Sequence, residues 1–312
     1  MTTALFSHPD CLQHVTPEGH PEQVARLEAI HGALGATVFD RLDRRLAPLC
    51  EDADIKLCHP QEHLDFIRSS EPKSSHRALD ADTHLSVGSL KAARRAVGGN
   101  IAAVDAVMSG EVQNAFVACR PPGHHAEQMT PMGFCLFGNV AIAAKHAMER
   151  HGLKRVAILD FDVHHGNGTQ ALLFNEPRAL FVSSHQNPLW PGTGLPDETG
   201  GHNNVHNLPL PPHSDGRLMR ATYEAQVFPV VDRYKPELIL ISAGFDAHMA
   251  DPLAQLNWST EDFAWLTRNI CALAKKHCNG RVVSTLEGGY DLTALAAATA
   301  AHVSVLMEMS HE

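Results

Sequence analysis

The sequence predicts one α/β domain over residues 1–312, with a central, mostly parallel sheet flanked by helices. From about residue 114 onward short apolar runs alternate with longer helical patterns, which implies parallel strands joined by crossover helices. The runs are nearly continuous in Val, Ile, Leu and Ala, as expected of strands covered on both faces. No linker, internal repeat or compositional break divides the chain, of which 44% is apolar.

Each apolar run defines a predicted strand. The five runs are Ala115–Cys119, Val156–Asp160, Ala179–Ser183, Leu238–Ser242 and Val282–Leu286, and Ala4–Ser7 is a candidate first strand. Helical patterns occupy residues 138–151, 216–233, 260–278 and 292–309 and, earlier, Arg26–Leu34, His63–Ser69 and Ser89–Val107. Gly152 and Gly280 stand where helices are expected to end.

Charge and cysteine content narrow the class of partner. Acidic side chains outnumber basic ones 35 to 25, which argues against nucleic-acid and anionic membrane partners and leaves small molecules or cationic partners. Seven cysteines form no CxxC pair, and the start of the chain lacks the pattern of a signal peptide. We therefore expect a reduced, cytoplasmic protein, and the sequence leaves a homo-oligomer open.

A polar cluster directly follows each of the five predicted strands. They are Arg120-Pro-Pro-Gly-His-His, Asp160-Phe-Asp-Val-His-His, Ser184-His-Gln, Ala243-Gly-Phe-Asp-Ala-His and Glu287-Gly-Gly-Tyr. Ligands of open parallel sheets bind beyond the carboxyl ends of the strands. One shared site is therefore predicted at this edge.

The clusters contain candidate metal ligands. Asp162 and His164 are two residues apart at a strand end, and Asp246 is our choice for a third ligand from another strand. Three oxygen and nitrogen ligands leave a fourth position open, as in catalytic zinc sites. An isolated Asp-x-His pair is more often a turn or a surface ion pair, so the prediction depends on Asp246 and the adjacent histidine pairs.

Hydrolysis also needs proton transfer and stabilisation of an oxyanion. His124 and His125 can accept and donate protons, with Asp160 and Asn167 as partners for their far ring nitrogens. The alternative is a buried histidine pair that only satisfies backbone carbonyls. Tyr290 offers a phenolic hydroxyl for the oxyanion.

Two further groups of residues suggest a channel and a second ion. Phe134 and Trp190 could line a narrow channel for an apolar chain, or be ordinary core aromatics. Oxygens of Ser183 and Ser184 near Asp160 could bind a hard monovalent ion.

Five ordered motifs resemble those of the histone deacetylase family, over roughly Phe6 to Leu306. The motifs are Arg120-Pro-Pro-Gly-His-His-Ala, Asp160-Phe-Asp-Val-His-His-Gly-Asn-Gly-Thr, Pro191-Gly-Thr-Gly, Ser242-Ala-Gly-Phe-Asp-Ala-His and Leu286-Glu-Gly-Gly-Tyr-Asp. Asn167, where the class I pattern has Asp, and Asp251-Pro-Leu make the chain most similar to class II and its bacterial histone deacetylase-like amidohydrolases.

The resemblance implies an arginase-like fold with an eight-stranded parallel sheet, and zinc-dependent removal of acetyl or another short acyl group from lysine. It assigns zinc to Asp162, His164 and Asp246, and potassium to oxygens of Asp160, Asp162, His164, Ser183 and Ser184. It makes His125, paired with Asn167, the general base and acid, His124, paired with Asp160, an electrostatic assistant, and Tyr290 the residue that holds the acetyl oxygen. Substrate would contact the Gly133 carbonyl, the channel residues Phe134, Trp190 and Leu253, and Asp82 at the rim.

Departures from the family pattern bear on product release and substrate. Gln23 stands where an arginine usually lines the acetate exit, so we expect an altered product path. Gly138 replaces a usual Asn, which we expect to be a mild change, and Trp190 is bulkier than the usual Phe or Tyr and is expected to narrow or reshape the channel mouth. Leu253 replaces the glutamate with which an acetylpolyamine deacetylase of this branch selects cationic chains, and this disfavours that alternative without removing it.

Two other classes remain as alternatives. A binuclear manganese ureohydrolase would share the fold, but the order Asp160-x-Asp162-x-His164 and Asn167 do not match its expected ligand pattern. An inactive acyl-lysine reader would be expected to lack a ligand or the tyrosine, and both are present.

Overall fold

The computed structural model describes residues 2–310 and is organised around one eight-stranded sheet. All seven strand pairings are parallel, in the order β2-β1-β5-β10-β9-β6-β7-β8. The strands of this sheet are β1 Thr3–Ser7, β2 Asp43–Leu46, β5 Asn114–Val117, β6 Val156–Asp160, β7 Ala179–Gln186, β8 Val205–Leu210, β9 Leu238–Ala243 and β10 Val282–Leu286. A separate antiparallel hairpin consists of β3 His76–Ala78 and β4 His84–Ser86. The sheet confirms the predicted α/β class.

Helices occupy most of the connections between strands. They are α1 Val24–Leu34, α2 Asp52–Ile55, α3 Gln61–Ser70, α4 Ser89–Met108, α5 Asn139–Arg150, α6 Asn167–Leu173, α7 Gly216–Thr222, α8 Phe228–Tyr234, α9 Thr260–Cys278 and α10 Leu292–Met309. A π-helical turn, Tyr223–Val227, joins α7 to α8, so the predicted helix over 216–233 is interrupted by a local change of hydrogen bonding. The other predicted helices are confirmed to within about two residues at each end.

Burial explains which strands the sequence reveals. Every residue of β5, β6, β9 and β10 is buried, which matches their continuous apolar composition. The strands that the sequence did not predict, β2 and β8, form the two edges of the sheet. In β2 exposed and half-buried residues alternate, and β8 contains Pro209, a residue that sheets accept at their edges.

Local signals fix the helix ends. Helix α9 begins with a capping box, in which Ser259 and Asp262 each bond the other's backbone N–H. Asn279, in the left-handed conformation with φ of 53°, ends it just before Gly280. Helix α10 is long and apolar enough to cross a membrane by length and composition alone, and it packs against α1 and α9. This packing accounts for its apolar side chains as those of a core helix.

The sheet order places three strand ends side by side. β9 pairs with both β10 and β6, with Leu286 opposite Ala243 and Asp160 opposite Ser242. Because the strands are parallel, the loops that follow them leave the same edge of the sheet. These loops carry the candidate site.

Candidate active site

Asp162, His164 and Asp246 converge at this edge. One ligand atom from each lies within 4.8 Å of the other two. His164 Nδ1 is 3.1 Å from Asp162 Oδ1 and 3.2 Å from Asp246 Oδ2. Both carboxylates are fully buried, whereas His164 is partly exposed. The structure therefore brings together the three residues predicted to hold a metal.

The surroundings of this group fit an ion. Two carboxylates and one imidazole form the oxygen and nitrogen donor set of a catalytic zinc site. Backbone amides hold the carboxylates in place, because Val163 N–H donates to Asp246 Oδ1 over 2.9 Å and Gly288 N–H donates to Asp162 Oδ2 over 2.8 Å. A Cβ at Gly288 would lie 2.1 Å from Asp246 Oδ2 and 2.6 Å from Asp162 Oδ2. A side chain at position 288 would therefore intrude on the donors.

The charges of the three residues are strongly coupled. Burial lowers the pKa of His164, but Asp162 and Asp246 outweigh it and raise this pKa to about 10. Burial and the charge of Asp162 raise the pKa of Asp246. Two buried carboxylates this close to each other need a positive charge beside them. The protonated imidazole supplies that charge here, and a bound divalent ion would supply a larger one.

His124 and His125 lie beside this group with their rings stacked at an angle, 3.9 Å apart between centroids. His125 Nδ1 is 2.7 Å from Asn167 Oδ1, and Asn167 Nδ2 donates to Glu127 Oε1 over 2.8 Å. Since the amide oxygen can only accept, Nδ1 of His125 carries the proton and Nε2 is left as an acceptor. Burial, followed by the charges of His124 and His164, holds the pKa of His125 well below its usual range. His125 is thus a neutral proton acceptor.

His124 has the opposite electrostatics. Its Nδ1 lies 3.0 Å from Asp160 Oδ2, and its Nε2 lies 3.7 Å from Asp162 Oδ2. Burial lowers the pKa of His124, but the charges of Asp162, Asp160 and Glu287 raise it well above its usual range. The two neighbouring imidazoles therefore differ in charge, as the predicted base and electrostatic assistant require.

A pocket of about 210 Å³ opens over the metal group. Its walls contain all five residues predicted to contact substrate, together with two catalytic candidates, one metal ligand and Leu189. These are Asp82, Gly133, Phe134, Trp190 and Leu253, then His125 and Tyr290, then His164. The aromatic residues Phe134 and Trp190 thus line a channel and are not core residues, and Trp190 is 42% exposed.

A strained turn shapes one wall of this pocket. Gly133 and Phe134 have φ of 54° and 68°, a left-handed conformation that glycine accepts and phenylalanine rarely adopts. A Cβ at Gly133 would lie 2.5 Å from His125 Cδ2 and 2.6 Å from Trp190 Cη2. Thr83 Oγ1 accepts the Phe134 N–H over 3.1 Å and so ties the turn to the Asp82 segment. The absence of a side chain at 133 lets the backbone pass between the two rings.

Comparison with known proteins identifies the family of this chain. A family model described as "Histone deacetylase domain" matches residues 20–306. The chain belongs to the histone deacetylase family. A "Probable deacetylase" of Archaeoglobus fulgidus is 39% identical over 298 residues, covering 94% of this chain and 82% of that protein. A "Histone deacetylase-like amidohydrolase" of Pseudomonas aeruginosa is 38% identical over 274 residues, covering 86% of this chain and 71% of that protein.

A solved structure has the same fold as this chain. The crystal structure of the HDA15 HD domain superposes with a TM-score of 0.93 at 31% identity, over 99% of this chain and 89% of that one. The arginase-like fold and the resemblance to histone deacetylases are thereby confirmed.

In this histone deacetylase domain the phenol of Tyr290 stands at the pocket. Burial raises the pKa of Tyr290 well above its usual range, so its hydroxyl stays a donor. Its backbone N–H donates to Asp251 Oδ2 over 2.7 Å, and the N–H of Leu253 donates to Asp251 Oδ1 over 3.0 Å. Burial and the charge of Asp246 raise the pKa of Asp251 to about 7. In the sequence Asp251 is only a mark of subclass, but in the structure it holds the tyrosine turn, residues 287–290, and the channel wall at Leu253.

Glu287 is a second residue whose role the sequence did not reveal. It is fully buried, and its Oε2 accepts from the N–H groups of Gly123 (2.7 Å) and His124 (3.1 Å), while Ser242 Oγ donates to its Oε1 over 3.2 Å. Burial raises the pKa of Glu287 to about 7, although His124 opposes the change. This carboxyl group clamps the loop that carries the histidine pair. In the sequence, the motif that contains Glu287 indicates a role for Tyr290 only.

Arg26 is a buried arginine close to Tyr290 whose position the sequence did not reveal. Gln23 is exposed at the N-cap of α1, away from the pocket. Arg26 is fully buried, donates from Nε to the Gly289 carbonyl over 2.6 Å and from Nη2 to the Glu287 carbonyl over 2.5 Å, and lies 4.9 Å from the centre of the Tyr290 ring. The chain therefore keeps a buried arginine behind the turn that carries Tyr290, and the altered product path expected from Gln23 stays a prediction.

A buried ion network holds Arg26 in place. Glu22 accepts from Arg26 Nη1 over 3.0 Å and from Arg120 Nη2 over 2.7 Å, and all three side chains are fully buried. Burial raises the pKa of Glu22, but Arg120, His14 and Arg26 lower it well below its usual range. The carboxylate remains ionised between the two guanidinium groups.

The residues proposed for potassium lie on adjacent strands. Asp160 is opposite Ser183 in the β6–β7 register. Ser183 Oγ is 3.0 Å from His185 Nδ1, and Ser184 Oγ is 2.6 Å from Tyr223 Oη. Both hydroxyl groups already have protein partners, so a potassium ion here stays a prediction.

Proposed function

We propose that this deacetylase domain is a zinc-dependent amidohydrolase that removes acetyl or another short acyl group from the lysine side-chain amine of proteins or peptides. The observation that carries the proposal is the position of Asp162, His164 and Asp246 beneath a narrow pocket, with a neutral histidine and a protonated tyrosine beside them. These three residues would hold zinc. When bound, zinc supplies a Lewis acid that polarises the acyl carbonyl and makes water more acidic.

The chain's own residues supply the proton transfers. His125 Nε2 takes a proton from the attacking water, and the hydrogen bond to Asn167 keeps the imidazole in the tautomer that can do so. His125 then returns this proton to the leaving amine, so that lysine and the carboxylate product are formed. The charge of His124 favours the anionic transition state, and the Tyr290 hydroxyl donates to the developing oxyanion.

The shape of the pocket supports a slender acylated chain. Phe134 and Trp190 form aromatic walls of the pocket, which Gly133 and Asp82 also line. We expect the Gly133 carbonyl to accept the substrate amide N–H and Asp82 at the rim to accept from the substrate backbone. An acylated lysine consists of such an apolar stem ending in an amide.

Acetylpolyamine deacetylation is the alternative. The half-buried carboxylate of Asp82 at the pocket and the net charge of −10 favour a cationic substrate. Leu253 opposes it, because an apolar side chain lines the pocket at the position where a glutamate would select cations. A comparison of kcat/KM for acetylated polyamines and acetyl-lysine peptides separates the two.

The test combines turnover with metal analysis on one sample. A panel of fluorogenic lysine peptides with acyl groups of increasing length measures kcat/KM, and zinc per chain is determined on the same protein. Asp162→Ala and Asp246→Ala should lose the metal and the activity. Tyr290→Phe should keep the metal and lose about 10²–10³ in kcat. Full activity of Tyr290→Phe, or activity of the wild type without metal, would contradict the proposal.

The other expectations are part of the same proposal. We propose a cytoplasmic protein without nucleic-acid or membrane partners, which its acidic composition supports. All seven cysteines are free, in keeping with a reducing compartment. A homo-oligomer and a structural potassium ion also belong to the proposal.

A further inference from the structure

A second cluster of metal-ligating side chains lies away from the pocket. Asp105 belongs to α4, His146 belongs to α5, and His151 is the C-cap of α5. The Nε2 atoms of both histidines lie 2.7 Å from the same carboxylate oxygen, Asp105 Oδ1. The two rings are 5.7 Å apart between centroids. Two imidazoles on separate turns thus aim at one oxygen of a neighbouring helix.

This convergence matches that of the candidate zinc ligands. Within residues 2–310, only two groups place three such donor atoms within 4.8 Å of one another, and the other group is Asp162, His164 and Asp246. The nitrogen-to-oxygen distances are 2.7 Å in the second cluster and 3.1 and 3.2 Å in the first. Small movements of the side chains would admit an ion in either place.

The donor set indicates which ions would bind. Two imidazoles and one carboxylate suit zinc and its neighbours in the first transition row, whereas calcium and magnesium prefer oxygen ligands alone. We propose that Asp105, His146 and His151 form a second divalent metal site, of the zinc type, that ties α4 to α5.

The local electrostatics favour a cation. His151 ends α5, where the last backbone carbonyls give the helix terminus a partial negative charge. Burial raises the pKa of Asp105, but the hydrogen bonds to His146 and His151 lower it below its usual value. The carboxylate is therefore ionised and ready to act as a ligand at neutral pH.

Exposure and outer contacts set the character of the site. The side chains of His146, His151 and Asp105 are 9%, 25% and 51% exposed, so an ion could enter from solvent and keep water ligands. Nδ1 of His146 is buried, and it has no hydrogen-bond partner among the described residues. Lack of such an outer partner typically weakens metal binding by about 10–100-fold. We therefore expect a weaker site than the one in the pocket.

The site is distant from the chemistry. Asn139, the first residue of α5, donates from Nδ2 to the Pro121 carbonyl of the catalytic loop, which carries His124 and His125. His151 lies at the other end of α5, about 18 Å along the helix axis. The role expected of the ion is to fasten two packed helices, and loss of the ion should leave turnover unchanged.

The experiment measures zinc per chain after equilibrium dialysis, on purified full-length protein from which any histidine tag has been removed. The readout is the difference in zinc per chain between the wild type and His151→Ala. This difference does not depend on whether the pocket holds zinc. The wild type should bind one ion more than His151→Ala or Asp105→Asn, or should bind its second ion at least about 10-fold more tightly. An excess of Mg²⁺ should not displace it.

A matched control is available on α8 and α9. Asp232 accepts from His277 Nε2 over 2.7 Å, the same distance as in the cluster, but its other partner is the ammonium group of Lys276. Asp232→Asn should retain the wild-type stoichiometry. Circular dichroism and acyl-lysine turnover should be unchanged in His151→Ala, because His151 is partly exposed and far from the pocket.

The outcomes separate this proposal from the proposed function. Equal zinc content and affinity in the wild type and His151→Ala would overturn the second site. Loss of an ion together with activity in Asp162→Ala concerns only the pocket. If the pocket bound no zinc at all, the wild type would still exceed His151→Ala by one ion.

Discussion

The hydrogen bonds of Asp251 connect a buried carboxyl group to the position of Tyr290, and Asp251→Ala tests this connection. The substitution removes the acceptor of the Tyr290 and Leu253 N–H groups, bonded over 2.7 Å and 3.0 Å. Leu253 is 38% exposed, so water can replace its lost partner. The cost therefore falls mainly on the part-buried N–H of Tyr290, and leaving such a donor unpaired costs up to about 1–3 kcal/mol.

This free energy sets the expected loss of activity. If all of it appears in the transition state, kcat falls by about 5- to 150-fold. The assay is steady-state turnover of an acyl-lysine peptide by metal-loaded protein, with zinc content and melting temperature measured on each variant. Asp251→Asn keeps an oxygen acceptor for Tyr290 and should stay within about threefold of the wild type.

A double-mutant cycle distinguishes positioning from general destabilisation. If Asp251 acts through the phenol, Asp251→Ala should cost less than about twofold once Tyr290→Phe has removed the hydroxyl group. The reasoning would be refuted by an equal loss in both backgrounds, or by full activity of Asp251→Ala in the wild-type background.

Three further changes test other parts of the structure. Asn167→Ala removes the partner that fixes the tautomer of His125, and kcat should fall about 10–100-fold, part of the 10²–10⁴ that proton transfer supplies. Gly133→Ala combines left-handed strain, about 1–2 kcal/mol, with overpacking, about 1–3 kcal/mol, so urea unfolding should show a free energy lower by about 2–5 kcal/mol. Hydrogen bonds from Arg178 lower the pKa of Glu176 to about 2 against opposing burial, so Glu176 stabilises the fold above pH 4.5 and loses this effect as pH falls toward 2. Glu176→Gln should therefore flatten the fall in melting temperature below pH 5.

One of these changes has a matched control, and each has an outcome that would contradict it. Gly152 also has positive φ, 70°, but a Cβ there would meet nothing within 4 Å, so Gly152→Ala should cost only the strain, and a loss equal to that of Gly133→Ala would disprove the clash. An unchanged kcat and pH profile in Asn167→Ala would argue against tautomer control. Parallel acid-unfolding curves for the wild type and Glu176→Gln would show that the Glu176 carboxylate contributes nothing.

The sequence predicted the strands that are covered on both faces and missed those at the edges. Largely apolar runs such as Val156–Asp160 and Val282–Leu286 have the same bounds in the structure, because burial on both faces favours apolar side chains at most positions. Asp43–Leu46 and Val205–Leu210 face solvent or carry proline, so their composition is that of loops. The eight-stranded count came from the family resemblance alone.

The site residues that the sequence predicts are those that directly follow a strand. Parallel strands bring their carboxyl ends to one edge of the sheet, so Asp162 and Asp246 could be assigned to the same site without a structure. The contacts of Arg26 with the Glu287 and Gly289 carbonyls join segments more than 260 residues apart. No local sequence pattern predicts such a contact, because a buried charged side chain and its distant partner can be recognised only once the fold is known.

The network of Glu22, Arg26 and Arg120 constrains how this chain can vary. Removing one member of a buried charge cluster typically costs about 3–5 kcal/mol, whereas replacing the whole cluster by well-packed apolar residues is often neutral. Arg120 belongs to the catalytic loop, and Arg26 supports the tyrosine turn. Substitutions at these three positions should therefore occur together. The amino-terminal segment is consequently under the same constraint as the loops that carry the catalytic residues.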